Sequence, residues 1–362
     1  MSDKLMIMHG LSEVAGQNYY SVRGLREIGE YAETVVWDQH AFGYPNDRCL
    51  GIDKSKKYLL PVYAIKLAGF LLFALFRYNI YHFHFGRSIL NNHELWLYDM
   101  LGKKYFYEFH GSDLRDYERF CRNSAMPFTP DLIMHPKLKK RNRKICRKAK
   151  QIILHDDELI PYLPAEHAPV QVVPLRVDLS LFVPQFPPAA DTGSIRIVHA
   201  PSKRASKGTE FVLNALERLR QRYPQVELVL VEGKTQDEAK TIYSTADIIV
   251  DQLLIGTYGV FSIESMALGK PVVTYISEEM KERLPEDLPI VSADVNTIES
   301  VLEDLICNAS LRHDLGVKGR AYAETYHDYR KVACILRSIY KGECEPATGR
   351  DAFLRVKNVS IE

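Results

Sequence analysis

The 362-residue sequence lacks the features that would mark a specialised class. Lys and Arg (47) balance Asp and Glu (46), leaving a net charge of +1, so no global field recruits nucleic acid. The six cysteines are scattered, with no C-x-x-C pair and no Cys/His cluster along the chain. That usage fits free thiols in a reducing cytoplasm and excludes a disulfide framework or a zinc ribbon. The opening "MSDKLMIMHG" has no long apolar core, so a cytoplasmic location is expected. Neither G-x-x-x-x-G-K-[ST] nor G-x-G-x-x-G occurs, which sets aside a P-loop nucleotidase and a dinucleotide fingerprint. There is no D-x-D to hold a metal, no solenoid repeat and no low-complexity tract. Long apolar runs are also scarce. The greasiest, "LAGFLLFALF" from Leu67, is bounded by Lys66 and Arg77 and falls short of the ~20 residues a membrane span needs. A buried helix is expected there, with a helix grazing a membrane as the alternative.

What is present reads as a soluble globular chain, 46% hydrophobic and 26% charged, of a length that suits two domains. "LMIMHG", "TVVWD", "NIYHFHF", "KKYFYEFH" and "QIILHD" read as strands separated by helix-length segments. "SIRIVHA", "VELVLVEG", "ADIIVDQLL", "PVVTYI" and "LPIVSAD" repeat the scheme after the Pro-rich "PQFPPAADTGS". Strands alternating with helical crossovers imply parallel sheets, hence two α/β, doubly wound, Rossmann-like domains. The expected boundaries are 1–175 for an N-terminal domain and 176–325 for a C-terminal one. A terminal helix over 326–345 is expected to return to the first domain, and 346–362 reads as a tail.

From Pro136 to Lys150, "PKLKKRNRKICRKAK" packs nine Lys or Arg residues into fifteen. A solvated helix face is one reading. Attraction of Lys137–Lys150 to an anionic membrane surface or a lipid-linked phosphate is the sharper one. Nucleic acid is not expected, because no aromatic-interleaved motif accompanies the run.

Ligands of open α/β sheets sit beyond the carboxyl ends of the strands. Four segments place glycine or polar residues there: "HGLSEVAGQ" with Gly16, "FHGSDLRD" with His110, "HAPSKRASKGTE" with Arg204 and Lys207, and "IGTYGVFSIESMALGKPVV" with Glu264. A helix N-terminus favours anions, and Arg204 with Lys207 at such a place suits a diphosphate.

These residues resemble the retaining glycosyltransferases of the GT-B fold, family 4 type (glycosyl transferases group 1). The resemblance runs through "VPLRVDLSLFVP", "HAPSKRASKGTE" and "GVFSIESMALGKPVV", and in the first half rests on Gly16 and "HGSDLR". It implies two domains facing across a cleft, with the donor mainly on the second. It implies that Arg204 and Lys207 hold the donor diphosphate, with Ser202 in the place of the family's arginine. Glu264 would accept from the nucleotide ribose, and Gly259 with its neighbours Gly256, Thr257, Tyr258 and Val260 would line the phosphates and sugar. Gly16 would approach the same phosphates and His110 the sugar. The family's second acid, eight positions before Glu264, is absent: Gly256 stands there. The resemblance implies retaining transfer from a nucleotide-diphosphate sugar to an acceptor hydroxyl, with no cofactor and no metal, the departing phosphate taking the acceptor's proton. A glycan, a lipid-linked sugar or a small glycoside would serve as acceptor, in polysaccharide biosynthesis. A nucleotide-sugar epimerase and a non-catalytic nucleotide-sugar-binding subunit are the competing readings.

Overall fold

A computed structural model describes residues 4–39, 43–53, 55–122, 136–191 and 193–361. The chain divides into two compact units. The N-terminal unit comprises Met1–Asp116, Met134–Arg176 and Tyr329–Glu362, and the C-terminal unit comprises Tyr117–Ile133 and Val177–Asp328.

The N-terminal sheet contains β1 (Met6–Leu11), β2 (Tyr31–Val36), β3 (Arg48–Cys49), β4 (Ile80–His84), β5 (Lys104–Glu108), β6 (Ile152–Leu154) and β7 (Val170–Val172). All pairings are parallel, in the order β3-β2-β1-β4-β5-β6-β7. The central strands are buried on both faces, which is why "IYHFH" and "KYFYE" read as near-continuous apolar and aromatic runs. β3 and β7 escape the sequence reading because two or three residues carry no period.

The C-terminal sheet contains β8 (Ile195–His199), β9 (Val226–Leu230), β10 (Ile248–Val250), β11 (Val272–Thr274) and β12 (Val291–Ser292), in the order β12-β11-β10-β8-β9. The helix Thr209–Arg222 lays Val212, Ala215, Leu216 and Leu219 on this sheet, where they join Ile197, Ile248 and Val250 in one core. The Pro-rich passage belongs to this unit, since Phe186 fills the space where a Gly269 side chain would begin, 2.6 Å from the Cβ position.

Both strand orders reverse direction at one point, between β1 and β4 in the first unit and between β8 and β10 in the second. Crevices for ligands open at such reversals.

The helix Tyr329–Lys341 completes the N-terminal unit. Gly24 on the helix Gln17–Glu27 allows the contact, because a Cβ there would lie 2.6 Å from the Ala333 Cβ. Val332, Ala333, Leu336 and Tyr340 thereby enter the core beside Ile7, Leu25 and Phe106. The expected tail is corrected: Gly349–Lys357 is a helix that buries Ala352, Phe353 and Val356. Their i, i+1, i+4 spacing gives it an apolar stripe to bury.

The expectation of a buried helix at Leu67 is also corrected. The helix Leu60–Arg77 buries only Tyr63, Leu71, Ala74 and Leu75. Hydrophobicity all round hides which stripe the fold uses.

Candidate functional site

In the C-terminal unit the β8–β10 reversal gathers most of the expected donor residues. Beyond β8 the chain runs through exposed Ser202 into the short helix Arg204–Lys207. Gly208, left-handed at φ 74°, turns it into the helix Thr209–Arg222. Buried His199 anchors this turn. Its Nδ1 donates to the Val250 carbonyl at 2.8 Å, so its Nε2 accepts from the Thr209 hydroxyl at 2.9 Å. Burial holds this imidazole below its ordinary pKa, in keeping with a neutral ring.

Lys207 reaches across to the end of β10. Its Nζ donates to Asp251 Oδ1 at 2.6 Å and to Gln252 Oε1 at 2.9 Å. Asp251 accepts in turn from Ser262 Oγ at 2.6 Å, on the first turn of the helix Val260–Ala267. Gln252 also donates to the Thr257 carbonyl, fixing the loop between strand and helix. Two of the ammonium's three hydrogens are thus placed within the protein. The sequence offers Asp251 only as holder of a water for the sugar hydroxyls, and gives Gln252, Ser262 and His199 no donor role. Only their position at strand ends marks them.

Gly259 caps the helix Val260–Ala267 in extended conformation, with no side chain bonded to the first-turn amides. A Cβ at Gly259 would meet nothing within 4 Å, so the approach to this helix N-terminus is open. Glu264 is half-buried at the fifth helical position, beyond the first turn, which removes a simple capping role for it. Burial, and then the carboxylates of Glu264 and Asp251, raise the Tyr243 hydroxyl above its usual range, placing both acids around that ring.

Three expectations change here. Arg204 and Lys207 are not free cations. Arg204 forms a two-pronged pair with Glu232 at 2.9 and 2.6 Å, and Lys207 a single ion pair with Asp251 at 2.6 Å. The Tyr258 hydroxyl is not available to a sugar, since it bonds Tyr322 Oη at 3.0 Å and His327 Nε2 at 3.2 Å in the interior. An acid at position 256 has no room: a Cβ on Gly256 would lie 2.7 Å from the Ser277 Cβ.

In the N-terminal unit, Gly16 takes φ 80° as the residue before the helix Gln17–Glu27. The space beside it is filled by Tyr20 and Tyr44, 2.6 and 2.8 Å from a Cβ position, rather than left open for a ligand. The helix amides there already have an anion. Glu13 accepts from Val14 N at 2.8 Å, Asn18 N at 3.3 Å and Tyr19 N at 3.2 Å. Burial nevertheless pushes its carboxyl up to about 7.

His110 belongs to a cluster that the linear sequence conceals. His155 Nε2 bonds His110 Nδ1 at 2.8 Å, His110 Nε2 bonds His84 Nδ1 at 2.9 Å, and His84 Nε2 meets His9 Nδ1 at 3.3 Å. His9 and His82 share the Tyr340 hydroxyl, and His82 Nε2 lies 2.9 Å from Glu108. Arg176 grips Glu108 through two bonds at 2.9 and 2.7 Å. Each neutral imidazole brings one hydrogen and the phenol another, which leaves the ring one hydrogen short. The gap falls at its longest link, His155 Nδ1 to Glu108 Oε1 at 3.5 Å. Burial drives the pKa of all five histidines down. Donor atoms of His9, His82 and His84, and of His84, Glu108 and His110, lie within 4.8 Å of one another. The arginine in their midst and their mutual bonding make this a proton-holding cluster rather than a cation cradle.

No family model matches the chain, and no curated protein is similar to it in sequence. Solved structures are similar in fold. Sucrose-phosphate synthase from Thermosynechococcus elongatus aligns with 94% of this chain and 99% of its own at 15% identity, with a TM-score of 0.66. HepE from Anabaena, solved with UDP and glucose, aligns over 93% and 99% at 12% identity and a TM-score of 0.61. A glycosyltransferase from Rickettsia africae aligns over 94% and 98% at 14% identity and 0.61. With its two parallel sheets and these neighbours, the chain has the GT-B fold of glycosyltransferases.

Proposed function

We propose that the protein is a retaining glycosyltransferase that moves a sugar from a nucleotide-diphosphate donor to an acceptor hydroxyl, in the cytoplasm and without a metal. The observation that carries this reading is the β8–β10 reversal. There an open helix N-terminus at Gly259 and the Lys207–Asp251–Ser262 chain stand together. A diphosphate leaving group needs positive potential in a fixed arrangement: the helix amides and Lys207, held in place by Asp251, supply it, and Arg204 joins them on turning from Glu232. In the step itself the bond from the anomeric carbon to the diphosphate oxygen breaks and its electron pair stays with the phosphate. The acceptor oxygen bonds the same face of the sugar, and its proton passes to the departing phosphate oxygen. Glu264 is assigned to the ribose and the amides after Gly259 to the phosphates. Ser202 stands on the diphosphate side, in the place of the family's arginine, and the backbone of Gly256, Thr257 and Val260 lines the sugar side. For the N-terminal unit the reading keeps the backbone at Gly16 for phosphate and His110 for the sugar.

The fold neighbour solved with UDP makes UDP-sugars the first donors to try. A panel of nucleotide-diphosphate sugars is titrated by thermal shift, since a specific ligand raises stability by RT ln(1 + [L]/Kd). Glu264→Gln is expected to weaken binding of the best donor about five-fold or more, the loss of a charge-assisted bond, while the ligand-free protein melts unchanged. Normal donor binding by the variant removes the ribose assignment. Turnover is expected to survive EDTA, and loss of turnover on chelation refutes the metal-free mechanism. The closed space at Gly256 favours a second reading, a non-catalytic binding subunit. Donor binding with no transfer to any acceptor in a cell extract supports that reading, and sugar interconversion without transfer supports an epimerase.

A further inference from the structure

The helix Leu60–Arg77 is apolar on every side, yet most of it is uncovered. Ile65, Leu72 and Phe76 on its outer stripe are 77%, 60% and 93% exposed. Helices hydrophobic all round belong inside protein or hydrocarbon. With the preceding turn, Lys57–Arg77 holds an 18-residue window of mean hydropathy 2.1 and is long enough to cross a membrane. It does not stand free to do so: Leu71, Ala74 and Leu75 are buried, and the Tyr81 hydroxyl donates to the Ala74 carbonyl at 2.7 Å. One stripe is tied to the N-terminal unit and the others are offered outward, the disposition of a helix lying in a membrane interface.

A groove of about 1100 Å³ opens along another of its faces, walled by Tyr63, Ala64, Leu67 and Ala68 and backed by Trp37 and Ile89. Its rim carries Arg87, Lys140, Arg141 and Lys144, and among the described residues no Asp or Glu lines it. The basic helix Pro136–Lys148 sorts its charges accordingly. Lys139 pairs with Asp116, Arg147 with Glu166 and Lys148 with Asp99, all pointing to acids of the fold. Among the described residues, none of the four rim cations forms an ion pair. Arg141 is pulled down to about 10, by burial first and by the charge of Arg87 second, and the buried Asp113 carboxylate offsets this only in part. Lys144 meets only a backbone carbonyl, that of Asn92 at 2.7 Å. A cationic rim whose members form no ion pair among the described residues, set on an apolar groove, fits an amphiphile with an anionic head.

We propose that this groove seats a membrane lipid, its phosphate among Arg87, Lys140, Arg141 and Lys144 and its hydrocarbon along Tyr63, Ala64, Leu67 and Ala68, while Ile65, Leu72 and Phe76 enter the leaflet. The lipid binding stands on these residues alone. The further step, that the sugar acceptor is a lipid-linked phosphate, rests on the transferase reading.

The test is co-flotation of the full chain with vesicles of phosphatidylglycerol and phosphatidylcholine, and of phosphatidylcholine alone, with calorimetric donor titration in parallel. The chain is expected to float with the anionic vesicles and at least ten-fold less with the neutral ones. The exposed pair Ile65→Glu/Phe76→Glu is expected to abolish flotation, and Arg87→Gln/Lys140→Gln to reduce it at least ten-fold. Both pairs should leave the melting temperature and donor affinity unchanged. No flotation, or flotation that survives Ile65→Glu/Phe76→Glu, overturns the proposal. Full release by millimolar inorganic phosphate also overturns it, since the rim would then hold a free anion. So does a concentration-dependent dimer in sedimentation that the same pair disperses in the absence of vesicle binding, because the face would then belong to a second copy. Donor binding in each case reports separately on the transferase reading.

Discussion

Lys207 and Asp251 form an ion pair of 2.6 Å at the end of β10, with the carboxylate fully buried and the lysine side chain 16% exposed. The lysine that a diphosphate would use therefore also holds the fold. Removing it leaves a buried carboxylate with Ser262 as its remaining side-chain donor. Lys207→Ala is expected to cost about 1–3 kcal/mol of stability, the penalty of stranding a charged acceptor, and to weaken donor binding roughly ten-fold or more. Urea unfolding and donor titration on the same preparation check both. A variant of undiminished stability would show the pair to be incidental.

Arg204 presents the opposite case. It is 48% exposed and paired with Glu232, itself 39% exposed. Exposed pairs contribute little to stability, so the acid acts chiefly as a competitor for the guanidinium. Glu232→Gln should leave the melting temperature unchanged and tighten donor binding several-fold, because Arg204 is then free to turn to the phosphates. Arg204→Ala should also melt normally but bind donor roughly ten-fold more weakly or worse. Equal donor affinity in all three proteins would remove Arg204 from the site.

Much of this arrangement is legible in the sequence, for particular reasons. All strands of the two sheets but β3 and β7 are found because buried parallel strands write themselves as apolar runs, and the helix that Gly259 opens because its motif is long. His199 and Ser262 lie within quoted motifs without a signal of their own and Asp251 lies outside them, and their contacts come from β8 and β10 being neighbours in space. The histidine ring is hidden for the same cause: its members come from four strand ends and a C-terminal helix, far apart along the chain. Position 256 could be read as missing its acid. That Ser277 occupies the space required the fold.

The histidine ring should make the protein acid-sensitive. All five imidazoles have folded pKa values below the ordinary 6.5, with burial the first cause, and His155 is pulled down to about 4. The unfolded chain binds these protons first as pH falls, so the stabilisation is complete above 6.5 and is lost on descent toward 4. His155 alone accounts for about 3 kcal/mol of that loss by linkage. The free energy of unfolding measured in urea at pH 7.5, 6 and 5 should drop steeply, and His155→Gln should flatten the slope. Buried Asp113, raised to about 6, works in the opposite sense but is outnumbered. A flat profile between pH 7 and 5 would mean that the ring carries its protons in the folded state.

Glu13 gives the converse pH dependence. Its carboxyl is raised by burial to about 7 from an ordinary 4.5, so here the folded state holds the proton more tightly than the unfolded chain. Its contribution is complete below 4.5 and declines as pH climbs through 7, by about 3 kcal/mol in all. Glu13→Gln keeps an oxygen for the Val14 and Asn18 amides but sets an NH₂ against the Tyr19 N–H, at a cost of about 1 kcal/mol. The gain at high pH exceeds that loss, so the variant should melt higher than the parent at pH 8 and lower at pH 5. The side chain also bears on Gly16. A carboxylate now occupies the helix N-terminus where a donor phosphate was expected, and two anions cannot share those amides. If phosphate binds there, Glu13→Gln should tighten donor binding at pH 8, where the parent carboxyl is ionised, and change it little at pH 5.5. Melting curves and donor titrations at the two pH values decide both points. An affinity indifferent to the substitution at pH 8 would confine Gly16 to its turn and its packing against Tyr20 and Tyr44.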